Sequence, residues 1–309
     1  MDVSAAEDRA PRWCVPALSE VNARIGSNYR WRRRLPGGEQ GGAHLVVEDD
    51  RCAVLTAESA GWRAERLLQA FPAVVHATDG GWPAARWLEV GPLVGGGAFL
   101  LQEYVAGTAM SGFDAAEVRT VLAANASQSG LAYGGARDDS AQLDAVLSGR
   151  CGWKAQVAGF TPRGARLVRH GDEVVDRAGP ALIPSTDVVH GDYSSSNILI
   201  DDGGGTATFV DCQAVGRGSR VRDLADLYRQ SYVYPSDHGT GLGLLRRAGV
   251  DVEGPEVFAR CAVAVTYNNL AWWAEHKTPA EFDHACGRLH QLFDDLRNGL
   301  AATGRASKR

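Results

Sequence analysis

Three polar residues near the middle of the chain have the types and spacing needed to hold a cation and to handle a proton. Asp192 follows His190 and Gly191, Asn197 comes five residues after Asp192, and Asp211 comes fourteen residues after Asn197. An amide oxygen and a carboxylate are hard ligands for a divalent cation whose other positions are filled by phosphate oxygens. A carboxylate just before them could orient an attacking hydroxyl or accept its proton.

Two short apolar segments predict how these residues come together. Residues 198–200 and 206–210 have the composition of strands, and residues 201–205 between them have the composition of a turn. A hairpin of these strands places Asn197 and Asp211 at the same end of neighbouring strands. Asp192 then lies on the loop that leads into the first strand.

The rest of the chain divides into a strand-rich part and a helical part. Before residue 105 the pattern predicts a helix over 62–71 that ends at Pro72, and strands over 29–35, 43–48, 52–56, 86–90 and 98–105. After residue 105 it predicts a helix that begins at Asp114, partial helix over 138–160, and long helices over 255–276 and 278–302. We therefore expect an α+β, bilobal fold with a small antiparallel β-rich lobe (1–105) and a larger, mainly helical lobe (106–309).

The segment 188–228 resembles the aminoglycoside phosphotransferase and choline kinase family, which has a protein-kinase-like fold. The resemblance rests on His190-Gly191-Asp192, Asn197 and Asp211, and it continues in Gly216 and in the Arg-Asp-Leu-Ala stretch 222–225. It implies that Asp192 is the catalytic base, that Asn197 and Asp211 hold Mg²⁺, and that His190 and Asp223 support the loop. It also implies ATP as the phosphoryl donor, with GTP possible.

The same resemblance implies a nucleotide site in the first lobe. A glycine-rich turn would lie over the phosphates, the strand end at 102–105 would meet the adenine edge, and Glu65 would be the acidic partner of a lysine. The residues are Gly37, Gly38, Gly41, Gly42, Gln102, Glu103, Tyr104 and Val105.

The sequence departs from the family at the lysine. Thr56 stands about where the family places it, and the only three lysines of the chain are Lys154, Lys277 and Lys308. Either another cation holds the phosphates, or the nucleotide preference differs, or catalysis is lost. Candidate cations are Arg34, Arg51 and Arg63, with His44 a weaker one.

A second His-Gly-Asp, at residues 170–172, lies twenty residues upstream of the first. No asparagine follows it at the matching distance and no pair of strands comes after it. We interpret it as part of a surface loop.

The acceptor is expected to bind to the helical lobe beside Asp192. Carboxylates and aromatic rings there suit a cationic or polyhydroxylated molecule, most simply an antibiotic of the aminoglycoside or basic peptide type, whose phosphorylation gives resistance. The candidate residues are Asp237, His238, Tyr267, Trp272 and Glu275. Choline-like amines, sugars, homoserine and nucleoside antibiotics stay open as acceptors. A non-catalytic pseudokinase-type binding module is the main alternative, and the lack of an activation segment argues against a protein kinase.

Composition excludes several other classes. The formal charge of −5 argues against a nucleic-acid partner, and no apolar run is long enough to span a membrane. The six cysteines are scattered without a Cys-x-x-Cys pair, which is typical of reduced thiols and argues against zinc. The polar, acidic start of the sequence does not resemble a secretory signal. We expect a cytoplasmic monomer or homodimer.

Overall fold

The computed structural model describes residues 10–36, 42–234 and 241–306, with side chains up to residue 302. An antiparallel sheet with two helices forms the first part of the chain, and helices dominate the second part. The predicted α+β class, with an antiparallel β-rich first part and a mainly helical second part, is confirmed. No helix in the described residues is long and apolar enough to cross a membrane.

The first part is a five-stranded sheet in the order β1-β2-β3-β5-β4, with every neighbouring pair antiparallel. Its strands are β1 (Arg30–Arg34), β2 (His44–Glu48), β3 (Arg51–Glu58), β4 (Trp87–Pro92) and β5 (Ala98–Glu103). Helix α1 (Cys14–Ile25) packs on one face of the sheet and helix α2 (Trp62–Asp79) on the other. All five predicted strands are present.

Alternation along the strands decides which residues meet each helix, because successive side chains point to opposite faces. Val46, Leu55 and Leu101 pack with α1, whereas Leu100 packs with α2. His44 shares the α1 face with Val46, and its ring lies 5.1 Å from that of Trp13. Thr56 is on the α2 face, opposite Leu100 in the ladder.

The two helices of this part differ from the sequence prediction. Helix α1 was not predicted, and α2 continues beyond Pro72 to Asp79. Proline removes one backbone donor and strains the preceding turn. In α2 this cost is offset by packing, because Ala73, Val74 and Ala77 are buried against the core.

The second part consists of seven helices and five short strands among the described residues. The helices are α3 (Ala115–Ala126), α4 (Asp139–Leu147), α5 (Trp153–Phe160), α6 (Pro162–Ala178), α7 (Val221–Val233), α8 (Gly241–His276), which is kinked at Gly254, and α9 (Pro279–Ala306). The strands are β6 (Thr108–Ala109), β7 (Asp187–Val189), β8 (Ile198–Ile200), β9 (Ala207–Phe209) and β10 (Gly216–Gly218). β6 pairs with β8, β8 with β9, and β7 with β10.

Helix starts follow the chemistry of the sequence. The Asp114 carboxylate accepts hydrogen bonds from the backbone N–H groups of Ala116 and Glu117 and so caps α3, as predicted. Thr278 and Glu281 form a reciprocal capping box at the start of α9.

The second His-Gly-Asp lies inside α6, so the prediction of a surface loop was wrong. Thr161 caps this helix and Leu167, Val168 and Val174 bury one of its faces. Gly171 is needed for close packing, since a Cβ added there would lie 2.2 Å from the Tyr267 hydroxyl oxygen and 2.9 Å from Phe293. Asp172 pairs with Lys154 at 2.6 Å.

We predict that Gly171→Ala destabilises the protein by about 1–3 kcal/mol, because the added methyl group overpacks the contact between α6, α8 and α9. Gly159→Ala is the matched control: Gly159 is also helical, and an added Cβ meets no atom within 4 Å. The control should be stabilised by up to about 1 kcal/mol through helix propensity. Urea unfolding of both variants measures the difference, and equal effects would contradict the packing argument.

Candidate active site

The loop from His190 to Asn197 joins β7 to β8, and the His190 side chain fixes it to the protein interior. This side chain is completely buried. Its Nε2 lies 2.9 Å from the Val210 carbonyl oxygen, and its Nδ1 accepts a hydrogen bond from the Asp192 backbone N–H at 3.2 Å. The ring therefore connects the backbone of Asp192 to Val210, which lies between β9 and Asp211.

Gly191 allows the loop to pass close to the turn that follows Asp211. Its φ is +82°, and a Cβ there would lie 2.2 Å from the Ala214 carbonyl oxygen. Any other residue would force the two segments apart. The glycine of the His-Gly-Asp motif is thus a packing requirement of the site.

Asp223, at the start of α7, binds the loop from the other side. Its carboxylate accepts hydrogen bonds from the backbone N–H groups of His190 (2.8 Å) and Gly191 (3.2 Å) and from Gln128 Nε2 (2.7 Å). Burial raises the pKa of Asp223, and the Arg222 guanidinium opposes this shift. This geometry fits the loop-supporting roles that we predicted for His190 and Asp223.

Arg222 lies at the centre of a buried ionic cluster that includes Asp223. Its guanidinium donates to the Gly191 carbonyl oxygen at 2.6 Å and lies within 3.3 Å of carboxylate oxygens of Asp139, Asp223 and Asp226. Burial opposes its charge, but Asp139, Asp226 and Asp223 outweigh burial and raise the pKa of Arg222.

Two further arginines balance the charges of this cluster. Arg137 pairs with Asp139 at 2.8 Å and donates to the Ala214 carbonyl oxygen, also at 2.8 Å. Arg229 pairs with Asp226 at 2.8 Å. Three arginines thus face three aspartates beneath the loop. Among them the sequence singled out only Asp223 for a role.

Asp192, Asn197 and Asp211 lie above the ionic cluster, in the arrangement that the predicted β8–β9 hairpin requires. Ile198 faces Phe209 in the β8–β9 ladder, and the Val210 N–H donates to the Asn197 carbonyl oxygen at 3.0 Å. The Asn197 amide nitrogen donates to the backbone oxygen of Asp192 at 3.0 Å and to its Oδ2 at 3.3 Å. Both bonds use the nitrogen, so the amide oxygen is left for another partner.

Asp211 has an unusual backbone conformation and lies close to other carboxylates. Its φ of 60° and ψ of 48° are in the left-handed region, which costs a non-glycine residue about 1–2 kcal/mol. The residue is exposed to solvent, although protein surrounds much of its side chain. Desolvation by the surrounding protein raises its pKa, as do the charges of Asp192 and Glu58, whereas His190 and Arg66 oppose the shift. A divalent cation would relieve this repulsion.

The predicted adenine-binding segment lies where β5 ends. Gln102 is buried, and its Oε1 has no hydrogen-bond partner in the described part of the chain. The N–H groups of Glu103 and Tyr104 donate to the backbone oxygens of Arg86 and Cys52. The Val105 N–H donates to no described backbone group and is available to a ligand.

Only one residue of the predicted glycine turn can be placed. Gly42 has a φ of +81° and lies against the Arg34 side chain. Gly37, Gly38 and Gly41 lie outside the described residues.

The candidate cations from the sequence do not converge on the site. Arg34 is exposed on β1, and Arg51 pairs with Glu48 at the exposed β2–β3 turn. His44 is buried on the opposite face of the sheet, under α1. Arg63 lies over the Trp62 ring at 5.2 Å.

Helix α2 places Glu65 and Arg66 in different surroundings. Glu65 is exposed and forms no ion pair within the described residues, so nothing in the described structure supports its predicted role as an acidic partner. Arg66 is half-buried and close enough to Asp192 and Asp211 for the opposite charges to attract. One step along a helix rotates a side chain by about 100°, which separates the two side chains.

A cavity of about 380 Å³ opens beside the loop from His190 to Asn197. Ser195 lies on the loop itself, and its backbone N–H donates to the Gln230 side chain at 2.8 Å. The cavity is lined by Ser111, Gly112, Phe113, Ser195, Gln230, Val233 and Tyr234. None of these residues was a candidate from the sequence, because they come from three distant segments.

The predicted acceptor residues are distributed differently. Asp237 and His238 lie outside the described residues. Tyr267 is completely buried and donates to the Val168 carbonyl oxygen at 2.8 Å, so its ring cannot line an acceptor site. Trp272 stacks on His276, and Glu275 accepts a hydrogen bond from Gln156, at the end of α8 beside α5.

A family model described as a phosphotransferase enzyme family (APH) matches residues 31–264, well over half of the chain. The chain belongs to the phosphotransferase enzyme family. This membership confirms the resemblance stated above and the prediction of an enzyme that transfers a phosphoryl group to an alcohol acceptor. No curated protein matches the sequence.

Solved structures share the fold of this family member at low sequence identity. A protein from Ralstonia eutropha JMP134, provisionally described as an aminoglycoside phosphotransferase, has a TM-score of 0.65 at 12% identity, over 94% of this chain and 99% of its own. A thermostable mutant of aminoglycoside phosphotransferase APH(4)-Ia, in a ternary complex with ADP and hygromycin B, has a TM-score of 0.62 at 13% identity, over 91% and 98%. An aminoglycoside phosphotransferase from Alicyclobacillus acidocaldarius has a TM-score of 0.57 at 13% identity, over 99% of both chains.

We predict that Asp223→Asn lowers the free energy of unfolding by about 3–5 kcal/mol, because it removes one charge from a buried ionic cluster and places an N–H₂ group among donors. Asp202→Asn, in the exposed turn between β8 and β9, is the control and should stay within about 0.5 kcal/mol of the wild type. Chemical denaturation tests both. A loss below about 1 kcal/mol for Asp223→Asn would contradict the supporting role.

Proposed function

We propose that this phosphotransferase uses ATP and Mg²⁺ to phosphorylate a hydroxyl group of a small-molecule acceptor, giving a phosphate ester and ADP. The single observation that carries the proposal is the arrangement of Asp192, Asn197 and Asp211 around one end of the β8–β9 hairpin. Asp192 orients the acceptor hydroxyl and accepts its proton. Positioning and charge neutralisation account for most of the rate enhancement in such reactions.

The residues present fit a magnesium ion. Mg²⁺ is usually held by one or two protein carboxylates together with substrate phosphates and water. Asp211 supplies a carboxylate whose pKa is raised by desolvation and then by Asp192 and Glu58. Asn197 supplies an amide oxygen, because its nitrogen is already bonded to Asp192. When bound, the metal would neutralise charge on the transferred phosphoryl group.

The end of β5 supports a nucleotide donor. The Val105 N–H is free to donate to an adenine ring, and Gln102 to Val105 follow the strand that borders the cleft. Relatives with this fold have been solved with ADP and with AMP-PNP. ATP is the simplest donor, and GTP remains an alternative for the same segment.

The cavity beside the catalytic loop is the proposed acceptor site. Ser195 connects it to the loop that carries Asp192, and the Tyr234 ring lies 6.4 Å from that of Trp273, the neighbour of Trp272. Hydroxyl, amide and aromatic groups suit a polyhydroxylated molecule with an apolar or cationic part. The APH(4)-Ia relative was solved with hygromycin B. An antibiotic acceptor, and hence resistance, remains our first proposal, with amines, sugars and other metabolites as alternatives.

We predict that Asp192→Ala lowers turnover by about 100- to 10,000-fold without changing the thermal midpoint, since Asp192 is exposed and supports no core contact. The matched control is Asp172→Ala in the second His-Gly-Asp, which should keep wild-type turnover. ADP release is followed with a panel of aminoglycosides, amines and sugars. Near-normal turnover of Asp192→Ala would refute its catalytic role.

The same panel separates an enzyme from a binding module. If nucleotide and acceptor both bind in thermal-shift assays but no acceptor releases ADP, the pseudokinase alternative is favoured.

We predict that Asp211→Asn raises the Mg²⁺ concentration needed for half-maximal activity by at least about 10-fold, because one charged metal ligand is lost. Turnover measured across a magnesium titration tests this. Asp202→Asn serves again as the control. An unchanged magnesium requirement in Asp211→Asn would place the metal elsewhere.

A further inference from the structure

We propose that Arg66 of helix α2 binds the phosphates of the nucleotide donor, in the role that a lysine on strand β3 has elsewhere in the family. The inference rests on the proposed function, because it assumes that a nucleotide occupies the cleft. It identifies a residue that the sequence did not suggest and assigns it a ligand group, the di- or triphosphate of the donor.

Helix α2 holds Arg66 in a fixed position relative to the catalytic loop. The helix packs against the turn 212–214, immediately after Asp211. Just beyond its end, the Trp82 ring stacks on Phe209 of β9 with centroids 5.8 Å apart. The next residues bond to the same strand, since the Ala85 N–H donates to the Phe209 carbonyl oxygen at 2.9 Å and the Phe209 N–H donates to Pro83 at 2.8 Å. The helix that carries Arg66 is therefore attached to residues on both sides of Asp211.

The charge of Arg66 is not neutralised by a bonded protein partner in the described part of the chain. Within the described residues its guanidinium has no salt bridge or hydrogen bond, and its ring contact is with Trp62 at 6.0 Å. Arg66 is half-buried on the helix that packs against the turn 212–214, directly after Asp211. It is close enough to Asp192 and Asp211 for the opposite charges to attract. A guanidinium at this place, without a bonded anion, is suited to a polyphosphate.

Desolvation adds to this argument. Burial, followed by the charge of Arg137, lowers the pKa of Arg66 to about 10, and Asp192 opposes the shift. The group is still charged at neutral pH, but its surroundings disfavour that charge. Binding of a polyanion would relieve the cost.

Other cations are less suited to this role. Arg137 is bonded to Asp139 and to the Ala214 carbonyl oxygen, and Arg222 is fully buried in the ionic cluster. Lys154 is the only lysine with a described salt bridge, which it forms with Asp172 on α6.

The charged residues on β3 and α2 have signs opposite to those of the family pattern. The family has a cation on the strand and an acid on the helix, whereas here Glu58 is on β3 and Arg66 is on α2. Desolvation and the charge of Asp192 are the larger causes of the raised pKa of Asp211. Glu58 lies close enough to raise that pKa further. Thr56, on the same face of β3, has a buried hydroxyl without a partner in the described structure.

The test measures dissociation constants of ATP, ADP and adenosine, each with Mg²⁺, by calorimetry or saturation-transfer NMR. The variants are Arg66→Ala and Arg66→Lys, with Arg63→Ala as the matched control. Arg63 is one turn earlier on α2 and also lies over Trp62, but it is not among the groups that interact with Asp211. Thermal midpoints of all variants show whether the fold is kept.

We predict that Arg66→Ala weakens ATP and ADP binding by about 10- to 100-fold and leaves adenosine binding within about twofold, because adenosine has no phosphate. Arg66→Lys should keep part of the affinity, and Arg63→Ala should match the wild type. Unchanged ATP binding in Arg66→Ala would overturn the inference while leaving the proposed function intact. An equal loss for adenosine would overturn it too, since the effect would then be structural. A wild-type protein that binds none of the three would refute the proposed function itself, and this inference with it.

Discussion

The buried guanidinium of Arg222 is the interaction on which the arrangement of the site depends. It joins the Gly191 carbonyl oxygen to carboxylates of Asp139, Asp223 and Asp226, and Arg137 and Arg229 complete the charge balance. A buried charge that loses its partner costs several kcal/mol, so these segments are stable only together. The catalytic loop is one member of this group. Its geometry is therefore set by residues on α4 and α7 that never reach a substrate.

Local sequence patterns predicted the parts of the site that lie on one continuous segment. The β8–β9 hairpin and the adjacency of Asn197 and Asp211 follow from residue types within about twenty positions, and the family resemblance implied the position of Asp223 beside the loop. The ionic cluster does not, because Asp139 and Arg222 are brought together only by tertiary packing, in which α4 and α7 both contact α8. Helix α6 was missed for a related reason. Its polar residues dominate the composition, while its buried face depends on a glycine that is close-packed against α8 and α9.

The proposed nucleotide and acceptor sites show a second limit of prediction from sequence. The sequence does not say which face of a helix is directed to a ligand. Position 65 matched the expected acidic residue by type, yet Glu65 is exposed and Arg66, which is half-buried, is the residue whose charge acts on Asp192 and Asp211. Likewise Tyr267 is on the buried face of α8, whereas the cavity beside Ser195 is formed by the β6–α3 connection and by the end of α7. A periodic pattern identifies a helix reliably. The face that it presents to a ligand depends on neighbours that are remote in the sequence.

The attachment of α2 to β9 has a mechanical consequence. Because Trp82 stacks on Phe209 and the following residues bond to the same strand, α2 is coupled to the helical lobe as well as to the sheet that it covers. Widening the cleft as a simple hinge would break these bonds. β4 begins two residues after Ala85, so the edge of the sheet is restrained by the same bonds. The distance between α2 and Asp211 is therefore fixed by contacts that lie outside the site itself.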